Sequence, residues 1–127
     1  MDPPRGVKGA TALLAALACA CAGAPDVAGT WLGTWQGSDG RSAGGFRVHV
    51  AQQGNRISGR IEVEGAWFSE ARIDGVVEGS RVRWGVLRGG VAVLQFDGRL
   101  QDGQASGVYR VPGGTGGRWS ARRVRGP

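Results

Sequence analysis

Cysteine, histidine and lysine are scarce in this chain of 127 residues. Its two cysteines, Cys19 and Cys21, both lie near the N-terminus, so the remainder of the chain can form no disulfide. That remainder contains one histidine, His49, and no cysteine, which excludes a zinc site built from clustered Cys and His ligands. We therefore expect packing and strand pairing to stabilise the fold, and we expect no metal and no other cofactor.

The chain also lacks an apolar run long enough to be a membrane-spanning helix. Residues 10–18 are small and apolar but too few to cross a bilayer, and they follow Arg5 and Lys8. This pattern is typical of a signal peptide. We predict a helical signal peptide of lipoprotein type at residues 1–18 and a linker at residues 19–28.

The end of this leader is open to three interpretations. Ala16-Leu17-Ala18-Cys19 resembles the lipobox of bacterial lipoproteins, which implies a lipid on Cys19 and attachment to the periplasmic face of the outer membrane. Ala20-Cys21-Ala22 also fits cleavage between small residues, which would release a secreted or periplasmic protein beginning near Gly23. The third alternative is an uncleaved anchor. Cleavage at either site takes the protein out of the cytoplasm.

Lysine does not occur after Lys8, so the positive charge of the remaining chain comes from arginine. An excess of arginine could indicate an anionic partner such as lipid head groups or nucleic acid. The arginines are spread over the predicted strands, mostly at polar positions, and acids such as Glu62 and Asp74 oppose them. This distribution favours a solvated coat, with no nucleic-acid partner; residues 125–127 form a basic tail.

No stretch of ten or more residues after the leader has the period of a helix. Apolar and polar residues alternate instead, as at residues 46–51, and glycine-rich turns such as Gly54-Asn55 separate the alternating segments. This predicts an all-β domain at residues 29–124, an eight-stranded antiparallel up-and-down meander. The predicted strands are 29–37, 46–51, 56–63, 71–77, 81–86, 91–100, 105–111 and 117–124.

One spacing recurs in five of these strands: an apolar residue, a glycine two positions later and an apolar residue two positions after that. A glycine on the inward side leaves room for a large neighbour and lets the strand coil sharply, which a narrow closed barrel requires. We therefore expect closure, with the last strand pairing with the first. The five copies are Trp31-Gly33-Trp35, Ile57-Gly59-Ile61, Ile73-Gly75-Val77, Phe96-Gly98-Leu100 and Ala105-Gly107-Tyr109.

Gly29-x-Trp31 on the first strand, with Arg122 and Arg123 on the last, resembles the start and end of lipocalin barrels. The chain is similar to small exported lipocalin-like or avidin-like domains of bacteria, and the resemblance implies a calycin-like barrel. It also implies that Trp31 closes the barrel base beneath Arg122 or Arg123, a contact with a cation–π rationale. Trp119, on the last strand, belongs to the same barrel-closing set.

Catalysis has little support in the sequence. His49 lies at a polar, outward position between Arg47 and Ala51, and the acids fall in turns or at polar positions, so no acid/base pair is expected inside the barrel. We predict that the protein is not an enzyme. The inward positions are almost wholly apolar, and Phe46, Val48, Ile61, Val86 and Phe96 are examples.

Such an interior suits either a packed core or a small apolar or aromatic ligand. The ligand-binding candidates are Trp35, Trp67, Phe68, Trp84 and Tyr109, with Tyr109 as a polar contact and Trp67-Phe68 as a core cap, a lid or a contact surface. We favour a binding module. The alternative is a structural or interaction protein of the cell envelope whose barrel is solid; the oligomeric state is left open.

Overall fold

The computed structural model describes residues 24–66 and 68–124. The predicted signal peptide, Cys19, Trp67 and the basic tail lie outside the described residues. No helix within these two ranges has the length and hydrophobicity needed to cross a membrane.

Eight antiparallel strands form a closed barrel, and each strand pairs with the next in sequence while the eighth pairs with the first. This confirms the predicted all-β up-and-down meander, which has the topology of a calycin-like barrel. The strands are β1 (Gly29–Gly37), β2 (Ala43–Gln53), β3 (Arg56–Val63), β4 (Glu70–Glu78), β5 (Arg81–Arg88), β6 (Val91–Gln101), β7 (Gln104–Arg110) and β8 (Gly116–Val124).

Alternation in the sequence determines which side chains enter the barrel, because successive residues of a strand point to opposite faces. On β5, Val82, Trp84 and Val86 are buried, whereas Arg81 and Arg83 are exposed. Three side chains are the most completely buried, Ile61, Val77 and Val86. The interior is therefore apolar, and none of the described polar or charged residues is buried.

Inward glycines accommodate the large rings of neighbouring strands. A Cβ atom on Gly98 would lie 2.5 Å from Cζ2 of Trp119. One on Gly75 would clash with the carbonyl oxygen of Arg83 and lie 2.7 Å from Cβ of Trp84, where the Trp84 side chain begins. The same substitution at Gly33 would clash with the ring of Phe46. The recurring glycine spacing thus makes room for three of the aromatic side chains that fill the barrel.

The sixth strand departs from the predicted pattern. Val86 pairs with Leu94 but the next residue, Leu87, pairs with Ala92, so β6 contains a bulge at Val93. An extra residue in one strand shifts the side-chain alternation. Ala92 is therefore only half-buried and does not pack against the core, whereas Val93 does.

The segment before β1 closes one end of the barrel, which we call the base. Val27 is buried there, and its carbonyl accepts a hydrogen bond from the indole N–H of Trp31 at 2.9 Å. The side chain of Gln52 accepts from the N–H of Val27 and donates to the carbonyl of Pro25, both at 2.7 Å. Residues 24–28, predicted as part of a linker, are thus packed against the barrel.

Candidate functional site

An aromatic cluster fills the middle of the barrel. The rings of Trp84 and Phe96 stack with their centroids 3.9 Å apart and their planes at 10°, and Trp119 meets both rings edge-on. Phe46 lies between 6.1 and 6.4 Å from these three rings. Because these contacts close the lumen at mid-height, the space on either side of the cluster is divided into two separate cavities.

The cavity on the base side is too small for an organic ligand. It measures about 40 Å³, and its lining is apolar, with Val27, Trp31 and Trp84 among the lining residues. Ligand pockets usually measure about 300–1,000 Å³, and small apolar cavities stay dry. We treat it as a packing defect between the base plug and the aromatic cluster.

The cavity on the other side opens at the barrel mouth, the end where residues 38–42, 64–66, 68–69 and 111–115 lie. It measures about 250 Å³, close to the lower limit for ligand pockets. We call it the mouth cup. Its apolar wall includes Trp35, Val63, Phe68, Leu94, Phe96 and Tyr109.

Tyr109 is one of several residues with polar groups that line the mouth cup, Ser42 and Thr115 among them. Its ring stacks against Phe96 and stands perpendicular to Trp35, with centroids 5.6 and 6.2 Å away. Burial, and secondarily the negative charge of Asp39, raises the pKa of its hydroxyl above the usual 10.0. Among the described residues, no group forms a hydrogen bond with that hydroxyl, so it is available to a ligand.

Trp35 and the loop after β1 shape the rim of the cup. The indole N–H of Trp35 donates to the carbonyl of Glu64 at 3.0 Å, which joins β1 to the loop between β3 and β4. Asp39 accepts hydrogen bonds from the N–H groups of Arg41 and Ser42 and from the Ser42 hydroxyl, at 2.8–2.9 Å. These bonds, the Ser42 N–H first, lower the pKa of Asp39, so its carboxylate holds the loop in shape.

The structure separates the four predicted ligand-binding residues that it describes. Trp35, Phe68 and Tyr109 line the mouth cup. Phe68 is buried, with the guanidinium carbon of Arg88 at 5.5 Å from its ring centroid, so it caps the core at the mouth. Trp84 lies in the aromatic cluster and borders the base cavity, away from the cup.

The barrel-closing residues lie where β1 meets β8. Trp31 pairs with Arg123 across this seam, and the guanidinium carbon of Arg123 lies 5.4 Å from the centroid of the Trp31 ring at the base. Arg123 also donates to the carbonyl of Asp26. Arg122 points outward and is exposed. Trp119 is buried, and its indole N–H donates to the carbonyls of Val108 and Asp97 at 3.1 and 3.3 Å.

His49 belongs to a surface network on the outside of the barrel. Its Nδ1 lies 3.2 Å from the hydroxyl of Thr30, and its Nε2 lies 3.4 Å from the carboxylate of Glu62. This network is remote from the mouth cup, which contains neither His49 nor Glu62. Within the described part of the chain, no group of three or more His, Cys, Asp or Glu residues could hold a metal ion.

The sequence did not indicate the base plug or the closed aromatic middle. Val27 carries no signal beyond its spacing of four residues from Trp31, and the ring stacking depends on register across several strands. The fold and the site together define a small calycin-like β-barrel with an apolar cup at one end.

No protein-family model and no curated protein sequence matches this chain. Among solved structures, it is similar to the crystal structure of a variant of the fluorescent protein UnaG, with 16% sequence identity and a TM-score of 0.48. The similarity covers 79% of this chain and 97% of that chain. At this level of likeness, no residue of the site is assigned by comparison.

Proposed function

We propose that this chain is an exported β-barrel protein that binds a small apolar or aromatic ligand in the mouth cup. One observation carries the proposal: a largely apolar cup lined by Tyr109, a buried residue whose hydroxyl forms no hydrogen bond with the described residues. Ligand pockets commonly combine an apolar lining with a few polar groups that fix orientation.

The shape of the cup defines the ligand class. Trp35 and Tyr109 stand at 90° to each other and present an aromatic corner, into which a flat ring fits edge-on or face-on. The volume of about 250 Å³ and the closed aromatic cluster below limit the ligand to a small molecule that enters from the mouth. A hydroxyl or carbonyl on that molecule would meet the Tyr109 hydroxyl.

The alternative function is that of a structural or interaction protein with a solid barrel. The stacked Trp84–Phe96 pair favours it, because the lumen holds no continuous cavity from base to mouth. The two functions differ in whether the mouth cup takes up an aromatic probe.

A pair of probes tests the binding proposal. Equilibrium dialysis is run with naphthol and with naphthalene, which has the same rings but no hydroxyl. We expect both to bind, and Tyr109→Phe to weaken naphthol binding about two- to tenfold, because one hydrogen bond contributes about 0.5–1.5 kcal/mol. Naphthalene binding should not change. Val108→Ala is the matched control, since this neighbour points outward and is 52% exposed.

Two results would contradict the proposal. If neither probe binds up to its solubility limit, the solid-barrel alternative is favoured. If Tyr109→Phe weakens both probes equally, the hydroxyl does not recognise a polar group on the ligand.

The export part of the proposal rests on the leader sequence. Mass spectrometry of protein expressed with its own leader would show either a lipid on Cys19 or a chain beginning near Gly23. Intact, unmodified protein would contradict both routes. We propose a binding protein and not an enzyme, with the lipid, where present, holding it at the periplasmic face of the outer membrane.

A further inference from the structure

Charge is distributed unevenly around the barrel. The neighbouring strands β7, β8, β1 and β2 contain no aspartate or glutamate, although β7 and β8 contain three exposed arginines, Arg110, Arg118 and Arg122. The five carboxylates that lie in strands all belong to β3, β4 and β6. One half of the barrel wall is therefore cationic, which the even spacing of arginines along the sequence had hidden.

The three exposed arginines of β7 and β8 form no ion pair within the described part of the chain. Among the described residues, no carboxylate lies within ion-pair distance of Arg110, Arg118 or Arg122. Arg99, on the adjacent strand β6, is likewise exposed and without such a pair. We call Arg99, Arg110, Arg118 and Arg122 the arginine face.

The acid beside Val108 in the β6–β7 register is already neutralised. Asp97 forms a two-pronged pair with Arg81, whose Nε and Nη2 donate to its two oxygens at 3.3 and 3.0 Å. Arg56, Arg60 and Arg83, on the opposite side, each lie within 3.8–4.0 Å of an acid. Among the described residues, the arginine face thus gathers four exposed arginines without ion pairs on the neighbouring strands β6, β7 and β8, whereas Arg47 and Arg72, which also lack an ion pair, stand singly on β2 and β4.

The centre of the arginine face is a shallow groove with small polar side chains and one exposed apolar residue. Thr34, Ser106 and Ser120 are cross-strand neighbours on its floor, with Arg99 and Arg122 at its side and Asp102 at its base end. Val108, directly opposite Arg118 in the β7–β8 register, is 52% exposed.

We infer that the arginine face rests on an anionic phospholipid surface, with Arg99, Arg110, Arg118 and Arg122 against lipid phosphates and Val108 towards the acyl boundary. Guanidinium groups bind phosphate oxygens in pairs of hydrogen bonds, and basic residues near an anionic membrane each contribute to adsorption. An apolar side chain between cations adds contact with the interface. This inference does not depend on ligand binding in the mouth cup.

Nucleic acid fits the same charges less well. Proteins that bind single strands present aromatic rings on which bases stack. The described aromatic side chains all point into the barrel or its mouth, and the exposed apolar residue of the arginine face is aliphatic. The chemistry of the face therefore favours phosphates arrayed on a lipid surface.

Vesicle flotation tests the inference. The full chain carries Cys19→Ser and Cys21→Ser, so that no lipid is attached, and is mixed with vesicles of phosphatidylcholine alone or with added phosphatidylglycerol. The measured quantity is the ratio of the partition coefficients for the two vesicle types. Comparing variants in this ratio cancels any contribution of the leader, which is the same in all of them.

The double variant Arg118→Gln/Arg122→Gln should reduce this ratio roughly 25-fold, at about fivefold for each arginine near the surface. The matched control, Arg60→Gln/Arg72→Gln, makes the same change in net charge at a cross-strand pair on β3 and β4. It should leave the ratio within about twofold of the parent. Val108→Asp should also lower the ratio, whereas Val91→Asp, at a residue 63% exposed elsewhere, should change it less.

Three outcomes would overturn the inference. Equal losses in the two double variants would mean that net charge alone drives adsorption. A parent ratio near one would mean that the protein does not recognise anionic lipid. Displacement from vesicles by oligothymidylate at equal phosphate concentration would assign the face to nucleic acid. Thermal unfolding of each variant verifies that the barrel is intact.

Discussion

Replacing Gly98 by alanine should destabilise the barrel through a steric clash alone. A Cβ atom at this position would lie 2.5 Å from the carbonyl oxygen of Ser106 and 2.5 Å from Cζ2 of Trp119. Ordinary van der Waals contacts begin at 3.4 Å, so each distance falls short by about 0.9 Å. The Ser106 oxygen belongs to the β6–β7 ladder and the indole to the aromatic cluster, so neither can move independently.

Overpacking of this kind costs about 1–3 kcal/mol. For a domain of about a hundred residues, each kcal/mol corresponds to roughly 4–8 °C in melting temperature. We therefore expect Gly98→Ala to lower the free energy of unfolding by about 2 kcal/mol, measured by urea denaturation followed by circular dichroism. Near-UV circular dichroism should change as well, because the Trp119 ring must shift.

Gly85→Ala is the matched control. Its nearest contact would be the carbonyl oxygen of Leu94 at 3.6 Å, an ordinary distance, so the substitution should be neutral or slightly stabilising. The reasoning is refuted if Gly98→Ala is as stable as the parent, or if the two substitutions have the same effect. In either case, inward glycines would not be required by the packing of the rings.

Three further predictions concern single ionisable groups. Tyr109 is the chain's one tyrosine, so near-UV absorbance reports its ionisation directly. Its raised pKa stabilises the fold below the unfolded value of about 10 and no longer does so once pH exceeds the folded pKa. Ionisation should therefore occur above pH 10, together with a loss of stability. Ionisation at or below pH 10 without unfolding would contradict this. Arg123→Gln removes the cation from the Trp31 indole at the base and should lower the free energy of unfolding, measured by urea denaturation, by about 1 kcal/mol. Substitution of the exposed Arg122 by glutamine should lower it by less than about 0.5 kcal/mol. Equal effects would mean that the contact at the base does not stabilise the fold. The hydrogen-bonded Arg81 lowers the pKa of Asp97, so this acid stabilises the fold above its unfolded pKa and loses that contribution as pH falls through its folded pKa. In the Asp97→Asn variant, the free energy of unfolding should therefore fall less steeply as the pH is lowered. An unchanged dependence of stability on acid pH would contradict this role of Asp97.

Local patterns were sufficient to predict the architecture. Apolar residues at alternate positions, such as Phe46, Val48 and Val50, indicate strands whose inward faces are apolar, and glycine-centred turns mark where these strands end. Both patterns can be recognised within a few residues of sequence. Closure followed from the inward glycines, and the β1–β8 pairing of Trp35 with Trp119 is its structural counterpart. Such features depend on residues close together in sequence or on a repeated spacing.

Features that depend on register between strands were not predictable in the same way. The bulge at Val93 arises from how β5 and β6 align, and a single strand's sequence does not contain that information. The same is true of Trp84. Alternation predicts that its side chain points inward, but its height in the barrel, at the middle and not at the mouth, is known only from its stacking on Phe96. The arginine face likewise appears only when distant strands become neighbours.

The mouth cup as the binding site is the central claim, and the indole N–H signals of the tryptophans test it most directly. Proton–nitrogen NMR spectra are recorded while naphthol is titrated into the protein. We predict that the Trp35 indole signal shifts in a saturable way, because its ring lines the cup, while the Trp31 signal at the base stays unchanged. A shift of Trp31 without Trp35, or no saturable shift of Trp35, would contradict the claim.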